Sequence, residues 1–400
     1  MAIRKKHIEL FNHIPKKEFT VLIGARQIGK STLLKQITDE LISKGEIVYS
    51  INLERKNVLH ELDREPENLF KYCPLAEGKR IVVMIDEVQY LKDASGFLKL
   101  LYDEYADRLK IVATGSSAFY IDKDFKDSLA GRKKIFQMPT LDFGEFLDFK
   151  GKPELLNDLV ALQKSEKQKS VYENMFWALL DEYLNYGGYP AVVLENDFAA
   201  KKELLKEIRD SYIKRDILES GVNDEEKLYR LLMVLASQSG NLLNVNELSN
   251  TLRINNSTVE NYLYILQKCF HISLVRPFYN NLRKELVKMP KVFLNDLGLR
   301  NILINYFAPI EQRADKGALL ENYVFRKLLE KNEPDQIKFW RTADGNEVDF
   351  VLETSFQKGY AVEVKFQENE SKLSKYKIFT NAYPEFPLQI WCWQNMNLIL

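Results

Sequence analysis

The sequence predicts an α/β chain of several domains, with a parallel sheet at its start and a second α/β domain at its end. Three observations predict it. Short apolar runs alternate with helical patterns over residues 1–165. A glycine-rich loop joins the first of those runs to a helix. Residues 225–300 then read as three helical stretches followed by two strand-like runs.

Composition narrows the classes. The chain has 400 residues, 46% hydrophobic and 28% charged, as ordinary soluble domains do. Lys+Arg and Asp+Glu are both 57, so no overall basic bias points to nucleic acid, and any such binding needs a local patch. The three cysteines, Cys73, Cys269 and Cys392, are scattered and form no CxxC, which predicts neither a disulfide framework nor a zinc site. No apolar h-region follows "MAIRKKHIEL", and no apolar run is long enough to span a bilayer. A cytoplasmic location without membrane contact is expected.

"FTVLIGARQIGKSTLLKQI" reads as strand, loop, helix. The stretch from Gly24 to Ser31 fits G-x-x-x-x-G-K-[ST] at every position. Glycines let the backbone N–H groups wrap phosphates, and the helix N-terminus adds its positive dipole end. The predicted nucleotide cradle is Gly24, Ala25, Arg26, Gln27, Ile28, Gly29, Lys30, Ser31 and Thr32. Lys30 is expected on the β- and γ-phosphates of ATP, and Ser31 on Mg²⁺.

"RIVVMIDEVQY" is an apolar strand ending in Asp86 and Glu87. Open α/β sheets bind ligands at the carboxyl ends of their strands, where these acids would stand. Asp86 is expected to hold Mg²⁺ and its waters, and Glu87 to polarise the attacking water. A third strand, "LKIVATGSS", ends in hydroxyl residues. Thr114 or Ser116 is expected to reach the γ-phosphate or that water.

The runs "LIGARQIGKST", "IVVMIDEVQY", "IVATGSSAF" and "LAGRKKIFQMPTLDFGEFL" resemble a family of bacterial and archaeal AAA-type ATPases. "YLNYGGYPAVV" (183–193) and "YIKRDILE" (212–219) extend the resemblance, which covers nearly the whole chain. It implies an AAA-type P-loop NTPase core, a winged-helix middle and a nuclease-like end. It also implies a homo-oligomer in which one subunit's arginine reaches its neighbour's γ-phosphate. Arg132 in "LAGR" and Arg215 in "KRDI" are the candidates.

The polar stretch "QKSEKQKS" sets a soft boundary at 165. Residues 166–224 have helical spacing broken at Gly187, Gly188 and Pro190, and read as a helical lid. Residues 225–300 follow the winged-helix order, helix, helix, helix, hairpin. Asn244 or Asn246 is expected to cap the second helix, and Asn256 or Ser257, with Glu260, the third. That third helix offers Asn255, Asn256, Ser257, Asn261 and a late Lys268. Arg283, Lys284 and Lys288 on the wing are the better candidates for DNA.

In "AVEVKF", Val362, Val364 and Phe366 point one way, and Ala361, Glu363 and Lys365 the other. Upstream, "IKFWRTADGNEVDFVLE" reads as a hairpin with Asp349 inside an apolar run. Glu321 lies on the helix before it. Helix Glu, strand Asp, then Glu-x-Lys is the order of the PD-(D/E)XK nuclease family, which residues 301–400 resemble, with Val348 where the family name has Pro. The resemblance implies that Asp349 and Glu363 bind Mg²⁺, that Glu321 completes the site and that Lys365 steadies water or developing charge. Asp344 and Glu347 lie nearby, Glu347 on the Asp349 face. Two functional readings stand: an ATP-driven enzyme that cuts DNA, and a regulatory ATPase whose last two domains bind partners without cutting.

Overall fold

The computed structural model describes residues 2–116, 129–164, 170–213, 215, 222, 224–279, 285, 288–367 and 373–393. The chain divides into two compact units, Met1–Pro139 with Lys268–Phe270, and Thr140–Gln267 with His271–Leu400.

The first unit is a five-stranded sheet in the order β2-β3-β4-β1-β5. The strands are β1 (Phe19–Ile23), β2 (Ile47–Asn52), β3 (Ile81–Asp86), β4 (Leu109–Gly115) and β5 (Lys133–Gln137). Every pairing is parallel. β1 and β4 are buried along their whole length, as strands covered on both faces must be. The helices are α1 (Lys6–His13), α2 (Lys30–Ser43), α3 (Lys56–Arg64), α4 (Leu69–Tyr72) and α5 (Ala94–Tyr105). Register pairs Ile23 with Gly115 and Ile85 with Ala113. The loop after β1, the acids at the end of β3 and the hydroxyls at the end of β4 therefore meet at one sheet edge.

Lys110, near the opposite end of β4, is fully buried. Its ammonium donates to the carbonyls of His13 at 3.0 Å and Lys16 at 3.2 Å, and to that of Glu18. It thereby ties the α1–β1 connection to the sheet. Burial pulls its pKa from 10.5 down to about 7. Between those values the unfolded chain keeps a proton that the folded chain has lost, so this group adds stability as pH rises from about 7 towards 10.5. Lys110→Met lacks the term. The stability difference between wild type and Lys110→Met, read by thermal unfolding, is expected to grow across that interval.

The second unit starts earlier than the expected boundary at 165. Helices α6 (Phe143–Phe149), α7 (Pro153–Lys164) and α8 (Glu173–Tyr186) share one hydrophobic core with a second sheet. Phe146, Leu159, Phe176 and Leu180 lie in that core with Phe325, Phe339 and Phe350. The apolar faces of α6 and α7 are thus committed to the second core, which is why the first unit closes at Pro139.

After α8 come α9 (Pro190–Leu194), α10 (Phe198–Glu207), α11 (Glu225–Ser237), α12 (Val245–Leu252) and α13 (Asn256–Lys268). Asn244 caps α12 through the N–H groups of Asn246 and Glu247. For α13 the expected caps are corrected by one position: Asn255 accepts from Thr258 N–H at 2.7 Å. An Asx side chain just before the first turn reaches the orphan N–H groups that Asn256, already inside the helix, cannot.

The second sheet has six strands in the order β11-β10-β9-β8-β6-β7. They are β6 (Ile272–Pro277), β7 (Lys291–Leu294), β8 (Ile337–Arg341), β9 (Glu347–Ser355), β10 (Lys358–Lys365) and β11 (Leu388–Cys392). The β6–β7 and β8–β9 hairpins form as expected. The boundary expected at 300, however, falls inside a continuous sheet. β6 pairs in parallel with β8, Arg276 opposite Lys338 and Pro277 opposite Phe339. Helices α14 (Leu297–Leu303), α15 (Lys316–Leu328) and α16 (Lys377–Ala382) accompany this sheet.

Gly187 and Gly188 mark a close backbone junction. Gly188 N–H donates to Asp296 at 2.9 Å, and Leu141 N–H donates to Gly188 O at 2.8 Å. Asp296 also caps α14 through Leu299 N–H.

Candidate functional site

The loop after β1 folds as a phosphate cradle. Gly29 caps α2 with a left-handed φ of 93°, and Gln27 is left-handed at 58°. At Gly24 a Cβ would lie 2.3 Å from the Met138 carbonyl oxygen, so only glycine fits. Lys30 is buried, and its ammonium donates to Gly24 O at 2.8 Å and Ala25 O at 2.7 Å. Arg4 braces the same loop from outside the motif, donating to Ile28 O at 2.7 Å and Pro139 O at 2.8 Å.

The acids and hydroxyls form a linked set at that edge. Thr114, fully buried, donates to Asp86 and accepts from Glu87 N–H at 3.0 Å. Glu87 is left-handed at φ 62°, which turns it away from the strand direction. Gln89 donates to the Glu87 carboxylate and, at 2.8 Å, to Ser116 Oγ. Both candidate hydroxyls therefore belong to this set: Thr114 bonds the Asp86 carboxylate and Glu87 N–H, and Ser116 is joined to the Glu87 carboxylate through Gln89. Ser31 and Asp86 open on a common cavity of about 510 Å³, also lined by Lys35, Tyr49, Asn52 and Arg55. A hydroxyl and a carboxylate are hard oxygen donors and suit Mg²⁺.

Thr114→Val is nearly isosteric but leaves Glu87 N–H and the Asp86 carboxylate each short of a partner. Hydrogen bonds to charged groups contribute about 1.5–3 kcal/mol, so hydrolysis is expected to fall about tenfold to a hundredfold. Steady-state phosphate release checks this, with thermal unfolding as the control for folding.

Arg132 is paired within its own unit, its Nε 2.6 Å from Asp103. Arg215 is exposed. On the wing, Lys288 is exposed, while Arg283 and Lys284 lie outside the described residues. The outer face of α13 shows Asn256, Ser257, Glu260 and Asn261, with Asn255 exposed at its cap and Lys268 half-buried at its end.

The C-terminal residues come together, with lysines among the carboxylates. Glu321 on α15, Glu347 and Asp349 on β9, and Glu363 and Lys365 on β10 form one cluster. Asp344 is exposed in the β8–β9 turn. Into the cluster reaches Lys291 of β7. Its Nζ lies 2.9 Å from Glu321, 2.5 Å from Glu347 and 3.6 Å from Asp349. Lys365 pairs with Glu363. Arg341 pairs with Glu347 at 2.7 Å. Asp349 accepts from Val364 N–H at 2.8 Å, and Glu363 from Asp349 N–H at 3.3 Å. Every carboxylate of the cluster already has a cation. Among the described residues no three His, Cys, Asp or Glu side chains are arranged to hold one metal ion. Glu321, Asp349 and Glu363, the residues expected to hold Mg²⁺, are here paired with lysines of their own chain, Glu321 and Asp349 with Lys291 and Glu363 with Lys365. Residues 361–364 of β10 are buried.

Burial works against charge on Lys291, but Glu321, Asp349 and Glu347 outweigh it and hold its pKa well above the ordinary lysine range. Burial, with Asp349 adding, pushes Glu363 up to about 7, and burial pushes Glu321 up to about 8 against the pull of Lys291.

Residues 16–147 match the family model of an AAA domain. Residues 178–309 match a domain of unknown function, DUF8612, and residues 316–397 another, DUF4143. The first match supports ATP hydrolysis by a P-loop ATPase of the AAA type. An uncharacterized protein of Haemophilus influenzae is 26% identical over 382 residues, covering 93% of this chain and 88% of that protein. An uncharacterized protein of Methanocaldococcus jannaschii is 26% identical over 393 residues, covering 96% and 82%. Among solved structures, AMPPCP-bound DnaA from Aquifex aeolicus is 16% identical, covers 65% of this chain and 85% of its own, and has a TM-score of 0.29. No helix among the described residues is long and apolar enough to cross a membrane.

Arg4, Gln89 and Lys291 were not singled out from the sequence. Gln89 stands two residues after Glu87 and was open to notice there. Arg4 and Lys291 act across chain distances that no local pattern carries.

Proposed function

We propose that the chain couples Mg²⁺-dependent ATP hydrolysis in its first unit to DNA binding by its second. The observation that carries the ATPase half is the Asp86–Thr114–Glu87 set at the same sheet edge as the Lys30 loop. Lys30 would leave the Gly24 and Ala25 carbonyls for the β- and γ-phosphates. Ser31 and Asp86 would hold Mg²⁺, which offsets phosphate charge. Glu87 would orient the attacking water, fixed through its N–H by Thr114 and released from Gln89 when it acts. In a homo-oligomer, Arg132 or Arg215 would serve the neighbouring site; substituting the true finger removes hydrolysis and spares ATP binding.

DNA binding rests on the helix, helix, helix, hairpin order of residues 225–300 and on the basic candidates Arg283, Lys284 and Lys288 of the wing. The regulatory reading, in which the second unit binds without cutting, is favoured by the lysine inside the C-terminal cluster. The test is binding and cleavage of labelled single- and double-stranded DNA with Mg²⁺ or Mn²⁺, with and without ATP, in wild type and Lys30→Ala. ATP-dependent binding without cleavage is expected. Absence of binding in every condition, with hydrolysis intact, would sink the DNA half and leave the ATPase half standing.

A further inference from the structure

The second unit buries a lysine that ATP hydrolysis does not use. Lys291 opens β7, and its side chain is 2% exposed. Its strand is clamped on several sides. β7 pairs antiparallel with β6, from Ile272–Leu294 to Val275–Lys291. Gly240 N–H donates to Val292 O, and Leu243 N–H to Pro290 O, each at 2.8 Å. At the far end Asn322, fully buried on α15, imitates a strand partner: it donates to Leu294 O at 2.8 Å and accepts from Leu294 N–H at 3.1 Å. The lysine is therefore aimed by a fixed backbone rather than folded in from a loose loop.

What it is aimed at comes from other elements: Glu321 from α15, and Glu347 and Asp349 from β9. Two of these residues are the ones that the sequence pattern marks for a divalent ion. A divalent ion bound to the same oxygens would stand beside the ammonium, and the two like charges would repel within a buried site. Expelling the lysine instead would leave its charge in surroundings built only for this pairing.

We propose that Lys291 is a resident counter-cation that takes the place of the metal in this cluster, closing it to divalent ions so that the second unit binds without metal-dependent cleavage. The inference concerns the second unit alone and stands whether or not the first hydrolyses ATP.

The test uses the full chain without nucleotide, with Mn²⁺ as the probe and free Mn²⁺ read by electron paramagnetic resonance. Wild type is expected to show no Mn²⁺ site that depends on Asp349. Lys291→Met, which keeps most of the unbranched chain and removes the ammonium, is expected to gain one bound Mn²⁺ per chain. Adding Asp349→Asn to that variant should remove the gain. A wild-type site that Asp349→Asn abolishes would overturn the proposal, as would a folded Lys291→Met that gains none. Should Lys291→Met fail to fold, amine labelling of wild type decides. Lys291 should stay unlabelled while the exposed Lys288 reacts, with no change at millimolar Mg²⁺. Labelling of Lys291 that rises with Mg²⁺ would mean that the ion displaces it. Phosphate release from ATP, measured alongside, reports separately on the first unit.

Discussion

Lys30→Ala is expected to lose ATP binding and, with it, at least about a hundredfold of hydrolysis, the scale on which removing one preorganised donor acts. Lys30 is buried, and its ammonium is held by two carbonyls of its own loop, Gly24 O at 2.8 Å and Ala25 O at 2.7 Å. A triphosphate is a better partner than two neutral carbonyls, and alanine offers it nothing. Glu87→Gln should behave differently. Glutamine keeps the backbone N–H that Thr114 accepts, so nucleotide still binds, but the neutral amide is a poor acceptor for a water proton, and turnover falls by about 10²–10⁴-fold. A fluorescent-nucleotide titration run beside phosphate release separates the two. Wild-type hydrolysis in Lys30→Ala would end the P-loop reading.

Gly188→Ala is expected to destabilise the second unit by about 3 kcal/mol or more, among the larger effects of one added methyl. Its Cβ would meet Leu141 O at 2.2 Å and Leu141 N at 2.9 Å, both backbone atoms that no rotamer change can move. The shift needed would also strain the Asp296 contact to Gly188 N–H, and with it the cap of α14. Gly187→Ala should act similarly, since that residue has φ 72° and its Cβ would lie 2.5 Å from Gly298 N. Gly317→Ala is the control: it sits in α15 with nothing within 4 Å of the added carbon. There a helical alanine should be neutral or stabilise by up to about 1 kcal/mol. All four tryptophans (Trp177, Trp340, Trp391 and Trp393) belong to the second unit, so urea unfolding followed by their fluorescence reads that unit specifically.

Contiguous signals were legible in the sequence. The Gly24–Ser31 loop, the apolar run into Asp86 and Glu87, and the two hairpins depend on neighbours in the chain, and the fold places them as the pattern suggests. Glu321, Asp349, Glu363 and Lys365 also converge, because strand alternation and hairpin length fix their faces. What the convergence serves was not legible. Lys291 reads locally as the polar start of a strand, "KVFL". It enters the cluster only because β6 pairs with β8, and that choice of sheet neighbour is set by which edges can be covered, not by local period. The division at Pro139 was hidden for a related reason. "QKSEKQKS" has the composition of a linker, yet the helices before it bury their apolar faces in the second core. Composition marks where a chain is wet, and packing decides which core a helix joins.

The parallel seam between β6 and β8 bears on how this protein can be dissected. A fragment ending at residue 300 would remove β8 and leave β6 with an unprotected rim, an invitation to self-association. The same cut would strand Lys291 without Glu321, Glu347 and Asp349, an orphan charge in a greasy interior. The helical segment and the C-terminal strands are in this sense indivisible. Shuffling either one onto another scaffold would have to carry its counterpart along.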